Sequence, residues 1–177
     1  MAPRTDKEPD FAKSKCTAAK LKQMYNNHLL PHGLSLGYRL GEDVPASCKG
    51  EIMMFASFFL AGLVSSFSKI FTTVISFYNI CHLHLNPNSI IMLGVLAHMC
   101  KNFIRVELCL DLFRYLFTAR LQTEPAIGSC EFRLHDVIVG SYLEMGLKLS
   151  WLGWREEWFY LKTENFLDNI RMSNRPA

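Results

Sequence analysis

The sequence predicts an α+β domain, mainly a helical bundle with a small C-terminal antiparallel β element of two or three strands. Three observations predict it. Up to about Thr123 apolar residues recur at spacings of three and four; beyond it they alternate; and Asn86-Pro87-Asn88-Ser89 has the chemistry of a helix start. At 177 residues, half of them hydrophobic and a fifth charged, the chain is large enough to bury a core without disulfide staples. It divides into a flexible basic tail over 1–20, one domain over 21–165 and a loose C-terminus over 166–177.

Leu21, Met24, Tyr25, His28 and Leu29 define a short helix over 21–30, stopped by Pro31 and Gly33. Gly33, Gly37 and Gly41 then punctuate a loop; no Gly-Lys-Ser/Thr follows them, so they do not form a phosphate-binding loop. Ile52, Phe55, Phe59 and Leu63 share one face of a helix expected over 51–63. Ile70, Phe71, Val74, Ile75 and Tyr78 do the same over 67–78, where the β-branched residues make a strand the alternative and the length favours a helix. Asn86 is a good N-cap and Pro87 fits the first turn, where its missing N–H costs nothing, so a helix is expected to run to about 102. A further helix over 108–117 places Asp111 and Arg114 on its solvent side. Alternation then predicts strands over 130–135, 142–149 and 157–163. Phe55, Phe59, Ile70, Val74, Val95, Met99, Phe113 and Leu116 are expected among the most buried residues.

The net charge of +3 sits entirely at one end. Residues 1–22 carry six basic groups, Arg4, Lys7, Lys13, Lys15, Lys20 and Lys22, against three acidic ones, and the remainder balances. A neutral body makes no electrostatic case for wrapping nucleic acid, so only a weak contact through 1–22 is expected. Between Glu51 and Lys101 only Lys69 is charged, which imitates a membrane segment. Serines, Lys69 and the Asn-Pro-Asn interruption favour buried globular helices, and no membrane association is expected. The start is polar and charged, with no hydrophobic signal segment. An intracellular setting with reduced thiols is therefore expected, nucleus and cytoplasm both remaining open.

Catalytic and metal chemistries are weakly represented. Cys81, His82, His84, His98 and Cys100 are the only metal-like cluster, yet Cys-x-x-Cys is absent, and no metal or cofactor is expected. His28 and His32 have the spacing of half an integrase-type zinc motif, but the cysteine half is missing. Glu107, Asp111 and Glu144 are the only carboxylate set that can be assembled, and Asp111 and Glu144 fall on polar faces. No catalytic residue is assigned and no small-molecule substrate is expected. Trp151, Leu152 and Trp154 form an aromatic and apolar run that is the candidate interaction surface, for a protein partner or for self-association, the alternative for the tryptophans being core or cover beside a sheet.

An ordered set of short motifs carries a resemblance. It comprises Gly41-Glu42-Asp43-Val44-Pro45, Glu51 before Phe55-Ala56-Ser57-Phe58-Phe59, and Phe77-Tyr78. His84 with Leu85-Asn86-Pro87-Asn88-Ser89-Ile90, Cys100 with Phe103, Asp111-Leu112-Phe113-Arg114, Gly153-Trp154-Arg155 and Trp158-Phe159-Tyr160 complete it. Over about 21–163 the chain resembles the plant "putative gypsy-type transposon" domain, a transposase-like domain of plant retrotransposon reading frames. Arg105 stands where that family typically shows glycine, and Trp151-Leu152 where it shows a polar pair. The resemblance implies origin in a plant mobile element and a non-catalytic structural or interaction module. The alternatives are a nucleic-acid-associated protein of the element or a degenerate transposase or integrase fragment. Neither the Tyr-x-Asp-Asp of a reverse transcriptase nor the Asp-Thr/Ser-Gly of an element protease occurs.

Overall fold

A computed structural model describes residues 13–30, 36–37, 50–63, 69–122, 128–140 and 151–162. The fold is α+β. Helix α1 (Ala18–Asn26) is followed by strands β1 (Leu36–Gly37) and β2 (Glu51–Phe55) and by helices α2 (Ala56–Leu60), α3 (Lys69–Phe77), α4 (Pro87–Met99) and α5 (Leu110–Leu116). Strands β3 (Phe117–Leu121), β4 (Cys130–Leu134) and β5 (Trp158–Lys162) complete the order. The expected strand over 142–149 lies outside the described residues.

Two small antiparallel sheets replace the expected C-terminal β element. In the first, β5 is central, flanked by β1 and β2. Phe55 pairs with Trp158, Met53 with Tyr160 and Ile52 with Leu161. The second is the hairpin β3–β4, in which Phe117 opposes Leu134 and Leu121 opposes Cys130. Strands β1, β2 and β3 all precede Thr123, so the C-terminal placement is corrected: β4 and β5 each pair with a partner from earlier in the chain.

The largest local correction is 51–63, expected as one helix and found as a strand followed by a five-residue helix. Ile52 to Phe59 are all buried. A run covered on every side has no periodicity to distinguish strand from helix. Its partner decides: Trp158 to Leu161 are buried as well, and the N–H of Ala56 closes the ladder on Glu157 O at 2.9 Å. Similarly, the helical period ends at Leu116, not near Thr123, because β3 starts directly after α5.

Three helices end in the same way. After α1, Leu29 N–H reaches Met24 O and His28 N–H reaches Tyr25 O, both at 3.0 Å. After α2, Leu63 bonds Phe58 and Gly62 bonds Phe59; after α3, Ile80 bonds Ile75 and Asn79 bonds Ser76. Each is a Schellman cap with a left-handed residue, His28, Gly62 or Asn79, and an aliphatic residue next that packs on the core. Helix α4 instead widens into a π turn, Cys100–Ile104, closed by Arg105 at φ 59°.

The core holds two aromatic groups. Phe55 and Phe58 pack on Trp154 beside the first sheet, and Tyr78, Phe113, Phe117 and Phe132 pack beneath the hairpin. Of the residues expected deepest, Phe55, Phe59, Val74 and Phe113 are buried, Ile70, Met99 and Leu116 are half-buried, and Val95 is exposed. Among the described residues, no helix is long and apolar enough to cross a membrane.

Candidate interaction surface

The Trp-rich run divides at Gly153. Its φ of +70° turns the chain sharply, and a Cβ there would meet the Glu156 carboxyl at 3.2 Å. Trp154 therefore points inward, 4.8 Å from the Phe55 ring and 5.8 Å from that of Phe58, with the Arg155 guanidinium 5.0 Å from its own ring. Trp151 is half-buried, and its indole N–H donates to Asn88 Oδ1 at 2.8 Å. Leu152 is 81% exposed. Of the three residues expected to make a surface, one is core, one is tethered and one faces solvent.

Asn86-Pro87-Asn88-Ser89 is a junction. The Asn86 side chain caps α4 by accepting from Asn88 N–H at 2.9 Å, and Pro87 occupies the first turn. Asn86 N–H bonds Cys130 O at 2.9 Å, and its amide donates to Gln122 Oε1 at 3.3 Å. The buried Ser89 hydroxyl accepts from Phe132 N–H at 2.9 Å and donates to Cys130 O at 3.3 Å. These side chains fasten the start of α4 to the hairpin.

The metal-like cluster is put to similar uses. His82 is 2% exposed; its Nε2–H donates to Met53 O at 2.9 Å, which leaves Nδ1 to accept the Cys81 thiol at 3.4 Å. Burial pushes His82 down to about 4 and also raises the Cys81 thiol. His84 Nδ1 accepts from Cys81 N–H at 3.2 Å. His98 contacts the Asn102 amide at 3.0 Å, and Cys100 is buried with its thiol pushed up, first by burial. Among the described residues no group of three or more such side chains converges on a metal position. Cys16, Cys81, Cys100, Cys109 and Cys130 are free thiols; burial is the main cause that pushes Cys16 and Cys130 up to about 11.

Of the segment 1–20, expected to be a flexible basic tail, residues 14–20 are anchored. Ser14 bridges the backbone of Trp158, Lys15 N–H bonds Glu156 O at 2.7 Å, and α1 begins at Ala18. Lys15 pairs with Glu156 and Lys20 with Glu157. Residues 1–12 lie outside the described residues. Glu107 and Asp111 are both exposed, and Glu144 lies outside the described residues.

A second apolar surface escaped the sequence reading. Phe103 is 73% exposed, Ile104 56% and Val106 44%, all in or just after the π turn. Beside them a cleft of about 680 Å³ is lined by Ile70, Ala97, Lys101, Arg105, Val106 and Leu108. The available signal was that α4 lacks charge all round, which leaves its outward face unmarked.

Residues 52–121 match the family model described as "Putative gypsy type transposon". The match takes in β2 through β3, including the Asn-Pro-Asn-Ser junction and the π turn, and spans fewer than half of the 177 residues. No curated protein and no solved structure matches the chain.

Proposed function

We propose that this chain, which carries a gypsy-type transposon domain at residues 52–121, is a non-catalytic structural or interaction module of a plant retroelement, acting inside the cell by binding protein. The observation that carries this reading is the use made of polar residues within the matched segment. Asn86, Asn88 and Ser89 are engaged in capping α4, clamping the hairpin and tethering Trp151. The only carboxylates in that segment, Glu107 and Asp111, are exposed. Phosphoryl transfer in mobile elements needs carboxylates gathered around metal ions about 4 Å apart, and two solvated acids do not supply that.

The test is a cleavage and strand-transfer assay of the full chain on plasmid DNA with magnesium or manganese. No activity above a buffer control is expected. Metal-dependent activity abolished by Asp111→Asn would overturn the reading in favour of a transposase or integrase fragment. Nucleic-acid association through residues 1–22 is the weaker alternative, since Lys15 and Lys20 are already paired with Glu156 and Glu157.

A further inference from the structure

In an antiparallel pair, residues that turn their backbone groups towards the partner strand alternate with residues that turn them away. His135 N–H bonds Leu116 O at 3.0 Å and Gln122 N–H bonds Ser129 O at 2.7 Å, so within β3 it is Thr118 and Arg120 that face β4. Phe117, Ala119 and Leu121 face the far edge. Phe117 N–H is occupied by Phe113 O at the end of α5. Among the described residues no backbone hydrogen bond takes up the outward N–H and C=O of Ala119 or Leu121. The opposite edge, on β4, is closed: Cys130 O accepts from Asn86 N–H and the Ser89 hydroxyl, and Phe132 N–H donates to Ser89. Neither a proline nor a bulge, two common means of closing an edge, interrupts Phe117–Leu121. We propose that the edge of β3 receives an extended segment of a partner protein in which acidic and apolar residues alternate. The inference rests on the reading of the protein as a binding module and names the partner's chemistry.

Backbone groups specify the shape of the occupant, and side chains its composition. An extended backbone presents N–H and C=O groups at the two-residue interval that Ala119 and Leu121 require. Residues directly opposite one another lie on the same face of a sheet. Ala119 and Leu121 share the inner face with Phe117 and Phe132, yet Leu121 is 67% exposed, so apolar residues opposite the two continue that face. Arg120, between them, is exposed on the outer face. Its cross-strand neighbour Glu131 accepts instead from Arg133 Nε at 2.9 Å and from Gln122 Nε2 at 3.3 Å. Among the described residues Arg120 makes no ion pair. Along the open edge Arg120 falls at a non-hydrogen-bonded position, where opposed side chains come closest, and a carboxylate there complements its charge.

The experiment is fluorescence anisotropy of the full 177-residue chain against a labelled, end-blocked peptide, Val-Glu-Val-Glu-Val. Saturable binding is expected, weakened by about tenfold or more when lysine replaces both glutamates. Arg120→Glu should reverse that preference, so that the lysine peptide binds better. N-methylation reads the backbone without altering the protein. Methylating the valines opposite Ala119 and Leu121 removes N–H groups that face β3 and should abolish binding. Methylating the glutamates, whose N–H groups face away, should leave it within about twofold. Should Arg120→Glu disturb folding, the two methylated peptides decide alone. No binding, equal loss from both methylations, or a charge preference that Arg120→Glu leaves unchanged overturns the inference. So does a dimer of the chain in sedimentation velocity that the peptide disperses, because the edge then belongs to a second copy. None of these outcomes refutes the binding-module reading, which falls instead to metal-dependent activity.

Discussion

At Arg105 the backbone adopts φ 59°, a left-handed conformation that costs an L-residue about 1–2 kcal/mol and glycine almost nothing. Glycine, which the resemblance to gypsy-type domains implies here, would adopt this conformation freely. Arg105→Gly is expected to raise stability by about 0.5–1 kcal/mol after glycine's greater unfolded-state entropy is subtracted; a higher urea midpoint at unchanged slope would register it. His82 carries a second residue-scale prediction. Its ordinary value of 6.5 is lowered to about 4 in the fold, first by burial and against the opposing effect of the Met53 carbonyl. Between those values the unfolded chain takes up a proton that the native chain refuses. The stabilisation is thus complete above pH 6.5 and declines as the pH falls towards 4, by roughly 3 kcal/mol. Urea unfolding at pH 7.5 and pH 4.5 should show the loss, and His82→Gln should show a flatter profile. An equal slope in the variant would assign the acid sensitivity to other groups. His82 could be read in the sequence only as a member of a metal-like cluster, because its partner, the Met53 carbonyl, is 29 residues away.

Among the elements, the start of α4 was legible in four consecutive residues because capping is local chemistry. That the same residues hold the hairpin was not, since Ser89 reaches residues 41 and 43 positions further along. Ser89→Ala leaves the Phe132 N–H and the Cys130 carbonyl without that hydroxyl, and a loss of about 1–3 kcal/mol is expected in chemical denaturation. The Trp-rich turn offers a contrast between adjacent side chains. Trp154→Ala removes a ring packed on Phe55 and Phe58 and should cost about 3–5 kcal/mol. Leu152→Ser should change stability by no more than about 0.5 kcal/mol. Comparable losses in the two variants would mean that Leu152 is packed as well. The two tryptophans and the leucine looked alike in the sequence; Gly153, which reverses the chain between them, separates their fates.

For the molecule as a whole, the concentration of positive charge in residues 1–22 sets a ceiling on nucleic-acid binding. Six basic groups less the paired Lys15 and Lys20 leave four. The logarithm of any DNA-binding constant should therefore fall with the logarithm of salt concentration at a slope no steeper than about −4. Fluorescence anisotropy over a salt series measures this, and a steeper slope would require basic residues of the body to join in. Charge distribution, the start of α4, the helical character of 69–77 and the strand character of 130–134 and 158–162 were determined by the sequence alone. Each rests on side-chain chemistry or periodicity within a few residues. Only the tertiary structure decided that Glu51–Phe55 is a strand, that β5 lies between β1 and β2, and that α4 turns Val95 outward. An apolar run with no polar side has no local preference for one partner or face, and the choice passes to whatever packs against it.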